Sequence, residues 1–269
     1  MVVRRTAVTL IELLLAMSVM SMMVVALGTL TAAVQQSGEY TRGVGTMVRH
    51  AQVTLERIER TIAESTATAE FPGIAVFIEA VEGVEFPDTL VVWHPENSPF
   101  HPDGPPLFRE LVIYCPDPGR PNRLLEITVP NDHRLTPPVS DVSRWLDELD
   151  SIKTSGTSNK VELTSLLRAA ELKRSNLREI ERRRGCIRFE LMIRPSALEW
   201  LDHQAGKLSW KEMSWVNDIY TSNSGLRQSL CQIEMQLQPE EIPANRDPMG
   251  NHSLPFFGSA ARYYNLLTP

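Results

Sequence analysis

Apolar and polar residues follow three successive patterns along the chain. Residues 13–34 contain no charged residue and no proline, and about 20 such residues are enough for a helix to cross a bilayer. Between residues 44 and 62, apolar side chains recur every three or four positions among charged ones, which predicts an amphipathic helix. After residue 73, short runs rich in β-branched and aromatic residues predict strands. The pattern therefore predicts an α+β fold, in which a long N-terminal helix packs on an antiparallel β-sheet with inserted helices.

The predicted strands lie in two groups separated by a helical block. They cover residues 74–80, 89–94, 110–116, 123–129, 186–195 and 231–239. The sequence DPGRPN between the third and fourth runs predicts a hairpin. Two helical segments are predicted after the fourth run, one over residues 141–152 with Asp141 as N-cap and one over residues 159–184. Proline and glycine at residues 70–73 close the long helix, and scattered Pro, Asn and Gly predict an irregular tail over residues 242–269.

Charges on either side of the apolar run predict its orientation. Arg4 and Arg5 precede the run, and the nearest charges after it are Glu39 and Arg42. Because positive residues stay on the cytoplasmic side, the N-terminus is expected in the cytoplasm and the bulk of the chain outside it.

Glu12 distinguishes this run from ordinary export signals. A cleaved secretory signal accounts for the basic start and for the small residues at positions 30–33, and RRTAV is a weak match to a twin-arginine signal. A plain signal anchor of a membrane-tethered enzyme accounts for the length and the orientation. None of these alternatives needs Glu12, although a charge within a membrane span is costly and therefore suggests a function.

The stretch RRTAVTLIELLLAMSVMSMMVVAL resembles the N-terminus of type IV prepilins and of type II secretion pseudopilins. The resemblance implies that a prepilin peptidase cleaves between Ala7 and Val8 and that the new amine of Val8 is methylated. The recognition motif is then formed by Thr9, Leu10, Ile11 and Glu12. The family usually has Gly and Phe where this chain has Ala7 and Val8. Since Ala is also small and Val also apolar, we expect processing to persist.

The same resemblance implies a structural subunit rather than an enzyme. Glu12 would pair with the amine of a neighbouring subunit during assembly, whereas the alternative is a glutamate that extends toward the lipid headgroups. The J-type pseudopilins and W-type minor pilins are most similar in size and layout. The implied partners are other pilin or pseudopilin subunits, the prepilin peptidase, an inner-membrane assembly platform and membrane lipid. An adhesive or DNA-binding minor pilin remains an alternative, as does the signal-anchored enzyme.

These expectations divide the chain into five segments. The leader peptide covers residues 1–7, the transmembrane and assembly helix residues 8–34, and its amphipathic continuation residues 35–65. An exposed α+β domain over residues 66–241 and the irregular tail complete the chain. The inner membrane is the expected location before assembly, with a single pass.

Composition and motifs predict little additional chemistry. A formal net charge of -6 disfavours non-specific nucleic-acid binding, which needs a positive field. Glutamates among the arginines of residues 174–184 favour a solvated helix face, so no nucleic acid is expected. There is no Gly-rich phosphate loop, no Gly-x-Ser-x-Gly and no His-Glu-x-x-His, so no cofactor and no catalytic residue are predicted. One proline-rich loop carries His94, His101 and Asp103 as a weak metal candidate, for which a polar surface loop is the alternative.

The three cysteines are too few for a disulfide scaffold and fit no zinc spacing. Cys186 and Cys231 each begin a predicted strand. If these strands are neighbours, the two thiols are a candidate disulfide in the oxidising space outside the membrane. The alternative is that all three cysteines are small buried hydrophobic residues.

Overall fold

The computed structural model describes residues 9–81, 83–172, 182–216, 225–239 and 253–265. The chain forms two compact units, Met1–Thr46 and Met47–Pro269. Helix α1, Leu10–Ala63, contributes its first part to one unit and its last part to the other. All remaining described helices and strands belong to the second unit.

A five-stranded antiparallel sheet forms the centre of the second unit. Its strands lie side by side in chain order: β1 (Ile74–Val81), β2 (Val84–Trp93), β3 (Leu111–Pro116), β4 (Leu124–Thr128) and β5 (Asn159–Thr164). The predicted hairpin is present, since Cys115 pairs with Leu125 across β3 and β4. The long N-terminal helix and the antiparallel sheet of the predicted α+β class are therefore confirmed.

Both faces of the sheet are covered along β3 and β4. Along β3, Ile113 and Cys115 belong to the core cluster that includes Trp145 of helix α2 (Val142–Thr154). The alternate residue Tyr114 reaches the opposite face, where its hydroxyl donates to Thr61 of α1 at 2.8 Å. Strands buried on both faces read as continuous apolar runs, which explains the sequence LVIYC. The side chain of Asp141 caps α2 by accepting from the Arg144 N–H.

The remaining strands form two smaller sheets. The pair β6 (Ala169–Leu172) and β7 (Arg182–Gly185) is antiparallel, and β8 (Ile187–Arg194), β9 (Leu226–Leu237) and β10 (Leu254–Asn265) form a sheet with β9 in the middle. Helix α3, Ala197–Gln204, follows β8. Gly185 is required by close packing, because a Cβ there would lie 2.6 Å from the Pro121 carbonyl oxygen.

Two predictions from the sequence are wrong. The tail over residues 242–269 is not irregular throughout, because β10 pairs with β9 along its whole length, from Leu254–Leu237 to Asn265–Leu226. The helical segment predicted over residues 159–184 is replaced, where the structure describes it, by β5, β6 and β7. In both places a neighbouring strand supplies the hydrogen bonds, so tertiary pairing overrides the local pattern.

The compact unit also begins earlier than the predicted domain boundary at residue 66. Met47, Ala51, Ile58 and Ile62 of α1 are each at most 1% exposed. The last part of α1 is therefore a component of the core of the second unit.

We expect a fragment that begins at Met47 to fold without the preceding residues, because the second unit contains its own core. A fragment beginning at Ile74 is the matched control. It lacks the buried face of α1, whose large apolar side chains contribute about 1.5–3 kcal/mol each. Circular dichroism with thermal melting should give a cooperative transition for the longer fragment alone. A non-cooperative melt of the longer fragment would contradict the assignment of a self-contained unit.

Candidate functional site

Thr9 and Glu12 form a reciprocal cap at the start of α1. The Thr9 backbone N–H and hydroxyl both donate to Glu12 Oε2, at 2.9 and 3.0 Å, and the Glu12 N–H donates to Thr9 Oγ1 at 3.3 Å. This is a capping box, in which a threonine and the glutamate three residues later satisfy free N–H groups of the first turn. Among the described residues, none donates a hydrogen bond to the second carboxylate oxygen, Oε1.

The capping box is a role for Glu12 that the sequence interpretation missed. The pattern Thr-x-x-Glu before an apolar run is itself a recognised signal for a helix start. Leu10 and Ile11, the two residues between Thr9 and Glu12, are 78% and 76% exposed. Ala7 and Val8, the predicted cleavage site, lie outside the described residues.

The first part of α1 has an exposed apolar surface in the part of the chain that the structure describes. Between Leu10 and Val34, the exposed large hydrophobic side chains have 45–78% of their surface accessible to solvent. One 18-residue window of the helix has a mean hydropathy of 2.3 and no buried residue. By length and composition this helix could cross a membrane. Water exposure of such a surface is unfavourable, so contact with another apolar surface would stabilise it.

The last part of α1, residues 47–63, contacts the five-stranded sheet through polar side chains as well as through apolar packing. Arg57 donates two hydrogen bonds to the carboxylate of Glu126 on β4, from Nε to Oε2 and from Nη2 to Oε1, the latter at 2.7 Å. Glu126 is 9% exposed, and the bond to this carboxylate raises the pKa of Arg57. His50 Nδ1 lies 3.2 Å from Thr164 Oγ1 at the end of β5. A bidentate pair fixes orientation as well as distance, so the helix is held in one rotational setting against the sheet.

Strand β10 holds the same helix segment at a second place. The Ser259 N–H donates to Glu59 Oε1 at 3.0 Å, and an Arg262 nitrogen donates to the Ala63 carbonyl at 3.2 Å. These contacts come from the part of the chain that the sequence predicted as irregular. An acceptor at Glu59 also covers one N–H of an edge strand, which limits unwanted strand pairing.

The candidate disulfide between Cys186 and Cys231 is wrong, and all three cysteines are free. Strands β8 and β9 are indeed neighbours, but Cys231 pairs with Leu191, whereas the Cys186 carbonyl accepts from Gln236. The five positions between Cys231 and Gln236 correspond to about 16 Å along a strand, which is far beyond disulfide reach. Burial raises the pKa of the Cys231 thiol to about 12.

The weak metal candidate is not assembled in the described residues. His94 Nε2 faces Glu64 Oε2 at 3.4 Å, whereas the His101 ring packs edge-on against Phe100. Among the residues that the structure describes, no group of three His, Cys, Asp or Glu side chains could hold a metal ion.

The loop that carries these histidines is organised by a buried carboxylate that the sequence interpretation did not identify. Glu110, 6% exposed, accepts from the indole of Trp93, from the Phe100 N–H at 2.7 Å and from the Leu107 N–H at 3.0 Å. The side chain therefore serves as a fixed acceptor for the loop backbone.

The arginine-rich segment is only partly described, since residues 173–181 lie outside the described ranges. Arg184 is not on a solvated helix face as predicted. It lies on β7 and donates to Glu79 on β1 at 2.9 Å.

Comparisons of the whole chain with protein-family models, with curated proteins and with solved structures found no match.

Proposed function

We propose that this chain is a minor pilin or pseudopilin, a structural subunit of a type II secretion pseudopilus or a type IV pilus. The observation that carries the proposal is the combination at the start of α1. One carboxylate, held by Thr9 in the first turn, precedes a run of apolar residues that are exposed in the described structure. The sequence of this first turn, TLIE, is the motif of the resemblance.

The proposed location follows from the apolar surface and the flanking charges. The chain is held in the inner membrane by a single helix, with the N-terminus in the cytoplasm and the second unit outside. In the membrane, lipid covers residues 10–34. In a filament, the helices of neighbouring subunits replace that lipid, so the same surface serves in both states.

The proposed role of Glu12 uses the second carboxylate oxygen. After cleavage, the amine of Val8 is a positive charge at the edge of an apolar helix, and a charge removed from water is tolerated only when paired. The cap engages Oε2 of Glu12. Oε1 can therefore accept the amine of an adjacent subunit without loss of the cap. The pair would set the register in which a new subunit joins.

The partners in this proposal are other pilin-like subunits, a prepilin peptidase, an assembly platform of the inner membrane and lipid. The J-type pseudopilins and W-type minor pilins are the proposed subclass, on size and layout. The second unit then acts as a scaffold and contact surface rather than as a catalyst, with neither a cofactor nor nucleic acid required.

Cleavage between Ala7 and Val8 is expected in cells that contain a prepilin peptidase. Intact-mass measurement of the membrane-extracted protein should show loss of residues 1–7 and a methyl group on the new amine. Ala7→Gly should be cleaved at least as well as the parent, and Ala7→Phe should not be cleaved, because the small residue before the cut is replaced. A mature chain that still begins at Met1 in peptidase-positive cells would contradict the proposed processing.

Glu12→Gln and Glu12→Ala separate the capping role from the charge-pairing role. Glutamine at this position can still close a capping box, whereas alanine cannot. If Glu12 pairs with an amine, both variants should insert and be cleaved normally but lose incorporation by about a hundredfold or more, the scale expected when a buried ion pair is broken.

The matched control is Glu39→Gln, a charge removal at an exposed position further along the same helix. Crosslinking to filament partners in membranes measures incorporation. A Glu12→Gln variant that crosslinks like the parent, with only Glu12→Ala defective, would show that Glu12 acts as a cap and not as the assembly contact.

A further inference from the structure

Asp88 on β2 is a buried carboxylate at the junction of several elements in the second unit. It is 1% exposed. Thr89 and Arg184 contact its carboxylate, and Glu79 on β1, Cys115 on β3 and Lys153 on α2 interact with it electrostatically. Burial raises the pKa of Cys115 to about 12, so this thiol stays neutral. The other groups determine how well the negative charge of ionised Asp88 is compensated.

The two cations near Asp88 direct their short hydrogen bonds to other groups. Arg184 donates to Glu79 at 2.9 Å, but its contact with Asp88 Oδ2 measures 3.5 Å. The ammonium of Lys153 donates to the Thr89 hydroxyl at 2.7 Å, and that hydroxyl in turn donates to Asp88 Oδ1 at 3.1 Å. An ionised Asp88 therefore receives one neutral hydrogen bond and a long ionic contact, which is weak compensation for a charge removed from water.

The pair of strands β6 and β7 depends on this junction. A two-stranded sheet is marginally stable by itself, so β7 needs contacts with the rest of the unit. Gly185 supplies some of them by packing against Pro121, and Arg184 supplies others through Glu79 and through the Phe86 ring, whose centroid lies 5.5 Å from its guanidinium. Because the Arg184 guanidinium of β7 lies 3.5 Å from Asp88 Oδ2, movement of β7 away from the sheet would remove one of the groups beside this carboxylate.

We infer that Asp88 makes the docking of the β6–β7 strand pair dependent on pH, with the pair held more tightly when the Asp88 carboxyl is protonated than when it is ionised. The geometry favours this direction because the hydrogen bond from Arg184 to Glu79 does not depend on whether Asp88 is protonated. The free-energy cost of removing a charge from water, in contrast, applies only to ionised Asp88. The same burial raises the pKa of Asp88 above the ordinary carboxyl range.

The sign follows from proton linkage. The Asp88 carboxyl has a higher pKa in the docked state than in an open state in which it is hydrated. It therefore binds its proton more tightly in the docked state. Docking is therefore strengthened as pH falls through the raised pKa, and weakened as pH rises above it. Each unit by which burial raises the pKa corresponds to about a tenfold change in the opening equilibrium.

Hydrogen exchange of the full chain in detergent micelles tests the inference. Protection factors for the amides of residues 182–185, corrected for the intrinsic rate at each pH, should rise between about pH 7 and pH 4, the range that leads down to the ordinary carboxyl pKa. Amides of β3 serve as the internal reference for global stability.

Asp88→Asn removes the titrating carboxyl. In this variant the protection factors of residues 182–185 should be at least as high as in the parent at neutral pH and nearly independent of pH. Asp147→Asn, which alters an exposed carboxylate on α2, should follow the parent.

Two results would overturn the inference. One is a parent protein whose β7 protection, relative to β3, does not change with pH, and this result needs no variant. The other is Asp88→Asn with lower β7 protection than the parent at neutral pH, which would show that ionised Asp88 attracts Arg184 and Lys153 more than burial opposes it.

Discussion

The apolar surface of residues 10–34 is exposed, and the proposed function follows from the cover that such a surface favours. A single helix satisfies its own backbone hydrogen bonds, so lipid is an adequate environment for it. The first turn of α1 is less suited to lipid, because its backbone N–H groups have no partners within the helix and Glu12 carries a charge. Thr9 and Glu12 resolve both difficulties locally. The same surface can leave lipid only for an environment that is equally apolar, such as the interior of a bundle of like helices.

The last part of α1 is a component of the second unit. Met47, Ala51, Ile58 and Ile62 are buried in the second unit, so the last part of α1 cannot detach without exposing apolar surface. Arg57 adds a directional contact to β4, and β10 adds contacts at Glu59 and Ala63. The segment is therefore held both by the five-stranded sheet and by β10 of the three-stranded sheet.

The sequence predicted those elements whose local pattern and tertiary role agree. Residues 111–115 are apolar throughout because both faces of β3 are buried, and Asp141 caps α2 as a local signal suggests. Residues 159–164 were predicted as helical from their spacing, but pairing with β4 decides their structure. Whether Cys186 lies close to Cys231 depends on the register between β8 and β9, and the local sequence of either strand does not determine that register. Glu110 and Asp88 look like ordinary surface acids in sequence, and only the fold buries them.

The central claim is that the chain leaves the membrane as a processed subunit of a filament. The most direct measurement is to shear filaments from cells that express the chain, purify them, and determine by mass spectrometry whether they contain it and where it begins. The account predicts that the sheared filaments contain the chain beginning at Val8, and that the signal disappears when the prepilin peptidase is deleted. A chain found only in the membrane fraction, with the same N-terminus whether or not the peptidase is present, would contradict it.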